Sequence, residues 1–203
     1  MKKRRVLNRE SVVETAVAQA NQAGGYGAVT LMGLARQLNV RMPSLYNHVA
    51  SLDDLRQGMA LYGLRELLRV TRDATTGLVG QAALLAMADA YRQFALKQPG
   101  IYPLAVNAPE AEDPALLALA QEFTQILRLV FASFGLGGEM ALHAVRGYRA
   151  MLHGFVLLEM GGGYRLPLSK DESFQELLAT YLAGLAARHL EAAVEDEQPG
   201  SQK

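Results

Sequence analysis

The sequence predicts an all-α fold: an N-terminal three-helix helix-turn-helix head followed by a larger α-helical body. Three observations carry this. Apolar residues recur at i, i+3, i+4 and i+7 along most of the chain, and no stretch alternates with the period of two that a strand needs. The segment from Thr30 to Leu55, TLMGLARQLNVRMPSLYNHVASLDDL, reads as two short helices, a tight turn between them and the start of a third. Two short helices so joined are the helix-turn-helix signal, in which the second lies in the DNA major groove. Half of the 203 residues are hydrophobic, enough for a sizeable core.

The first helix spans Arg9 to Ala23, with Val13, Ala16, Val17 and Ala20 on one face and Gly24-Gly25-Tyr26-Gly27 ending it. Thr30 is an N-cap, because its hydroxyl can accept from a free amide of the next turn. Leu31, Leu34, Ala35 and Leu38 then form one buried stripe. Asn39 tolerates the left-handed conformation of a C-terminal cap. Pro43 suits a first helical turn, where its missing amide costs nothing. Leu45 and Val49, at i and i+4, face the preceding helix and leave Tyr46, Asn47 and His48 pointing elsewhere. Ser51-x-x-Asp54 opens a long fourth helix to about Asp73, apolar on more than one face and therefore packed on several sides.

Thr75 to Gly80 is a break, and Gln81 to Gln98 resumes the helix until Pro99-Gly100 stops it. Ile101 to Ala108 is a short piece closed by Pro109. A helix follows from Asp113-Pro114 to Phe134, another from Glu139 to Met160, and a last one from Lys170 to Ala193 behind a Ser169/Glu172 capping box. The expected organisation is a helix-turn-helix domain over 1–50 with a basic N-terminal arm at 1–8, a connector helix at 51–73, a ligand-binding and dimerisation domain at 74–194 and a disordered tail at 195–203.

Composition narrows the function classes. There are no cysteines, so disulfides and thiolate metal sites are excluded. Formal net charge is zero, yet residues 1–56 carry +4 and the remainder −4. A basic end on an acidic body points to a polyanion partner for the N-terminal part alone. Residues 2–5, Lys-Lys-Arg-Arg, do not open a signal peptide, because Asn8, Arg9, Glu10 and Glu14 stand where an apolar region is needed. No run approaches the ~20 apolar residues of a membrane span, so no membrane partner is expected. G-x-x-x-x-G-K-[S/T], H-E-x-x-H and G-x-S-x-G are all absent, and no enzyme chemistry is expected.

The last two long helices carry small residues at helical spacing: Ala144, Gly147, Gly154 and Leu158 on one, Ala179, Ala183, Ala186 and Leu190 on the other. Small side chains let helices approach closely, and two such helices from each of two chains complete a four-helix bundle. These eight residues are the expected homodimer interface. Tyr62, Met87, Tyr91, Phe94, Tyr102, Phe123, Leu127, Tyr148, Met151 and Phe155 are spread over helices that could enclose an apolar, aromatic pocket. Glu139 and His143 are one turn apart, but His153 does not share their face, so neither metal nor cofactor is expected.

The sequence resembles the TetR family of bacterial transcriptional repressors. The resemblance lies in Gly25-Tyr26, Thr30-Leu31-x-x-Leu34-Ala35-x-x-Leu38-x-Val40, Pro43-Ser44-Leu45-Tyr46-x-His48-Val49 and Ser51-x-Asp53-x-Leu55. In the body, Tyr91-Arg92-x-Phe94-Ala95, Pro99-Gly100-x-Tyr102 and His153-Gly154 ahead of Glu159 look like one recurrent TetR C-terminal type. The resemblance implies a cytoplasmic bacterial homodimer that binds a palindromic double-stranded DNA operator and releases it when a small, largely apolar inducer enters the body. It implies that Thr30 caps its helix and contacts phosphate. Arg41, Met42, Ser44 and Asn47 would meet bases or backbone, while Tyr46 and His48 hold phosphates. Pro43 and Leu45 belong to the same DNA-binding segment, and Arg4 and Arg5 to the basic arm. A lysine is usual in the family where this chain has Leu52. Two alternatives remain: a ligand-independent DNA-binding activator or architectural dimer, and a helical enzyme with a DNA-binding head.

Overall fold

The structure, a computed structural model, describes residues 7–107 and 113–196, and side chains as far as residue 187. Among the described residues there are nine α-helices and no strand. They are α1 (Arg9–Ala23), α2 (Leu31–Leu38), α3 (Met42–Tyr46), α4 (Leu52–Thr75), α5 (Gly80–Lys97), α6 (Tyr102–Val106), α7 (Pro114–Ser133), α8 (Gly138–Met160) and α9 (Lys170–Asp196). The chain forms two compact units, one of Met1–Val70 with Gln93–Phe123, the other of Thr71–Arg92 with Thr124–Lys203. The expected boundary at 50 falls inside the first unit, and the one at 73 lies three residues beyond the division between Val70 and Thr71. In the last expected segment, α9 runs through Glu195 and Asp196, and residues 197–203 lie outside the described residues, as does Pro109.

Local chemistry in the first unit is as the sequence dictates. Asn8 caps α1 in a reciprocal box with Ser11. The Thr30 hydroxyl accepts from the Gly33 amide at 3.1 Å. Asn39 closes α2 at φ 55°, ψ 47°, its amide reaching Ala35 and Arg36 carbonyls. The head core gathers Val12, Ala16, Ala20, Leu34, Leu45, Val49, Leu55 and Met59. Ile101 also belongs to this core, so the piece after Pro99-Gly100 is part of the head's packing. The approach there is close: a Cβ on Gly100 would stand 2.2 Å from the Ala20 carbonyl. The Gly100 amide donates to Asn21 Oδ1 at 2.9 Å, and Asn21 Nδ2 donates to Gln98 Oε1.

The second unit is built on aromatic residues. Phe131 meets Tyr148 edge-on at 5.6 Å between ring centres. Phe155 packs on Phe174 at 4.9 Å. The buried Tyr148 hydroxyl donates to the Leu84 carbonyl, and the Tyr181 hydroxyl donates to the Ala144 carbonyl at 2.7 Å. Arg92, buried on α5, is held by Glu159 of α8 through two 2.7 Å hydrogen bonds.

One composition argument is corrected. By length and composition, α7 is apolar enough to cross a membrane. On it Leu116, Phe123, Leu127, Val130 and Phe131 are buried, while Gln121, Glu122, Gln125 and Arg128 are exposed together with Leu117 and Leu129. A buried apolar stripe with polar and charged residues among those left exposed is what a helix on a protein core presents.

Candidate nucleic-acid interface

The surface around α3 follows from what lies beneath it. Leu45 and Val49 are 0% and 1% exposed and seat the segment on the head core. That fixes which side chains face outward. Arg41, Pro43, Tyr46 and Asn47 are exposed; Met42, Ser44 and His48 are half-buried. A guanidinium, a phenol and an amide on one short segment are donors suited to phosphate oxygens and base edges. Thr30 is exposed at the start of α2, so its hydroxyl can serve both as cap and as outward group. Leu45 is corrected: fully buried, it supports the surface and cannot touch DNA. Arg4 and Arg5 lie outside the described residues. Leu52, where the family usually has lysine, packs half-buried against the head core.

Sequence reasoning missed two residues here. Arg9 opens α1 and Asp54 sits in the first turn of α4, 45 positions apart. Arg9 Nη1 and Nη2 donate to the two carboxylate oxygens of Asp54 at 2.8 and 2.6 Å. Arg9 Nη1 also donates to the His48 carbonyl at 3.1 Å. The Ala50 amide donates to Asp54 Oδ2 at 2.7 Å, and the Asp54 amide to Ser51 Oγ at 3.0 Å. The hydrogen bonds from Arg9 hold the Asp54 carboxyl below the usual carboxylate range, and burial only partly opposes this. The Ser51-x-x-Asp54 spacing was the available signal, but it specifies only a helix start.

The ten aromatic and apolar pocket candidates do not form one constellation within either unit. Tyr62, Phe94, Tyr102 and Phe123 belong to the first; Met87, Tyr91, Leu127, Tyr148, Met151 and Phe155 belong to the second. Eight are buried, and Tyr62 and Met151 are half-buried. Burial raises the Tyr62 and Tyr148 hydroxyl pKa values. Burial, with Arg149 nearby, lowers the His153 pKa. None of the ten lines a cleft of about 450 Å³ in the first unit, walled by Asp53, Arg56, Gln57, Ala60, Leu64, Leu104, Ala105, Asn107, Asp113 and Leu116. Among the described residues, no group of three or more His, Asp or Glu side chains could hold a metal ion.

The eight dimer candidates divide as well. Ala144 is 5% exposed, and a Cβ on Gly147 would stand 3.0 Å from the Tyr181 hydroxyl. Their small size admits α9 of the same chain; Ala144 is buried there, whereas Gly147 stays exposed. Leu158, Ala179, Ala183 and Ala186 are exposed, and the side of Gly154 opens on free space. The side chain of Leu190 lies outside the described residues.

Comparison with known proteins agrees with this architecture. Residues 84–181 match the family described as Tetracyclin repressor-like, C-terminal domain. An HTH-type transcriptional regulator of Mycobacterium tuberculosis is 35% identical over 90% of this chain and 83% of its own. The HTH-type transcriptional regulator YobS of Bacillus subtilis is 33% identical over 88% and 93%. ActR of Streptomyces coelicolor, solved in complex with (S)-DNPA, shares the fold with a TM-score of 0.65 at 19% identity, over 91% of this chain and 99% of that one. A TetR variant from Acinetobacter baumannii, solved with minocycline, gives 0.67 at 22% identity, over 91% and 99%. A helix-turn-helix head with outward donors, a helical body and two relatives aligned over most of its length make this chain a member of the TetR family of DNA-binding transcriptional regulators.

Proposed function

We propose that the chain is a repressor: a homodimer that occupies a palindromic operator and leaves it when a small molecule binds the C-terminal domain. The observation that carries the DNA half is the surface of α3, where Arg41, Tyr46 and Asn47 stand exposed on a segment anchored by buried Leu45 and Val49. In this reading phosphate contacts from Tyr46, His48, Thr30 and the basic arm supply most of the affinity, and Asn47, Ser44 and Arg41 supply discrimination. Exposed apolar side chains on α8, with Leu157 at 45% and Leu158 at 53%, and the exposed alanines of α9 support a second copy as their cover.

The inducer reading draws support from relatives of the same fold solved with small molecules. Met87, Tyr91, Tyr148, Met151 and Phe155 of the second unit are the proposed contacts, and the buried ones must shift to admit a ligand. A ligand releases DNA only if it binds the DNA-free state better than the bound one. The test begins with duplexes selected by the full chain from a random library. A palindrome with half-sites roughly 34–36 Å apart is expected. Tyr46→Ala should weaken the selected and a random duplex alike. Asn47→Ala should cost ~1–3 kcal/mol on the selected duplex alone. The reverse pattern rejects these roles, and failure to select any sequence rejects the operator.

A further inference from the structure

We propose that Arg9 and Asp54 form a clamp that aims α3, making Asp54, an acid, a positioning residue for sequence discrimination. The inference rests on the reading of α3 as the segment that meets base edges. An α3 of five residues is far too short to hold its own conformation, and Asn47 ends it without leaving a left-handed cap. Its direction is set by what grips its ends. Leu45 and Val49 hold it from below. At its C-terminal side the chain runs His48, Val49, Ala50, Ser51, and both backbone groups that flank Val49 are taken by the clamp. The His48 carbonyl receives Arg9 Nη1 at 3.1 Å, and the Ala50 amide reaches Asp54 Oδ2 at 2.7 Å. The guanidinium joins the two anchors by meeting both oxygens of the carboxylate at 2.8 and 2.6 Å. A forked pair of this kind fixes orientation as well as distance. The two peptide units that flank Val49, just beyond Asn47 and His48, are thereby tied to the first residue of α1 and the first turn of α4. Recognition side chains need their support held to within about 0.5 Å and 10–20°, so loosening the clamp blurs base contacts before it alters attraction to phosphate.

This separates positioning from electrostatics by sign. Removing an acid from a basic head should, through charge alone, tighten binding to any DNA. The clamp requires that Asp54→Asn bind a random duplex as well as the wild type or better, yet bind the selected duplex about tenfold more weakly, as when one well-placed base contact is lost. Arg9→Lys keeps the charge but not the fork, and should retain random-duplex affinity while losing discrimination. Arg9→Gln with Asp54→Asn should discriminate no worse than the poorer single variant, because one device has been removed once. The measurements are affinities of the full chain for both duplexes at fixed salt, with melting curves on each variant. Wild-type protein that prefers no sequence would fault the reading of α3. Wild-type preference with an unchanged ratio in Asp54→Asn and Arg9→Lys would overturn the clamp. So would tightening on both duplexes, additive losses in the double variant, or a fall in melting temperature alone.

Discussion

Two arginine–carboxylate pairs of similar geometry stand in opposite surroundings. Arg9 and Asp54 meet at 2.6 Å with side chains 48% and 26% exposed. Arg92 and Glu159 meet at 2.7 Å with both side chains 8% exposed. Water screens the first pair and solvates each partner if the other is lost. Around the second, Arg92 lies 4.9 Å from the Phe174 ring centre and 5.6 Å from that of Phe155. An arginine there has given up its water, and Glu159 with the two ring faces replaces it. The same bond can thus set geometry at low energetic stake near the surface, and become a requirement for folding inside.

The buried pair should give the largest effect. Glu159→Ala leaves a desolvated guanidinium with its principal partner gone, and the expected loss is about 3–5 kcal/mol in urea unfolding. Replacing both residues by apolar ones, Arg92→Met with Glu159→Leu, should recover most of it, since neither charge then needs solvation. A loss below about 1 kcal/mol for Glu159→Ala, on the scale of surface pairs, would show that water reaches the site and erase the contrast.

The surface pair should act through pH and salt on a smaller scale. Arg9 holds the folded-state Asp54 pKa below its ordinary value. A carboxyl depressed on folding contributes stability that is complete above its unfolded pKa, about 3.9, and is lost as pH falls through the folded value. Urea unfolding of wild type against Asp54→Asn should therefore differ by about 1 kcal/mol or less near pH 7 in low salt. The gap should shrink with added salt and close progressively below about pH 4. A gap that persists in strong acid would mean that the carboxylate charge is not what holds Arg9.

The contrast also explains what the sequence made legible. Thr30, Asn39 and Pro43 were readable because caps and turns act within a few residues, and the α2 stripe because burial imposes a helical period. The outward set Arg41, Tyr46 and Asn47 followed from placing Leu45 and Val49 inward. The ion pairs join residues 45 and 67 positions apart, and no periodicity announces which charge will meet which. Gly100 against Ala20 is hidden for the same reason: Pro99-Gly100 reads as a helix stop whatever it packs on. Ala144 and Gly147 were ambiguous by nature. A small residue marks a close approach without telling whether the neighbour is the chain's own helix or a second copy.

Asp171 sharpens the comparison from within the buried cluster. Its carboxylate lies 2.7 Å from the same Arg92 Nη2 that Glu159 holds, yet its side chain is 84% exposed. Both acids raise the Arg92 pKa, with the hydrogen bond to Glu159 the larger cause. If distance to the guanidinium governed the energetics, Asp171→Asn and Glu159→Ala would cost alike. If loss of solvent governs, Asp171 is already hydrated, and its removal returns to water a group that never left it. Asp171→Asn should then shift stability by only a few tenths of a kcal/mol, as surface pairs do, and the shift should vanish in high salt. Urea unfolding of the two single variants decides the matter. A cost for Asp171→Asn within a factor of two of that for Glu159→Ala would mean that the acids share the burden, and that burial of Glu159 is not what distinguishes this cluster from the clamp on α3.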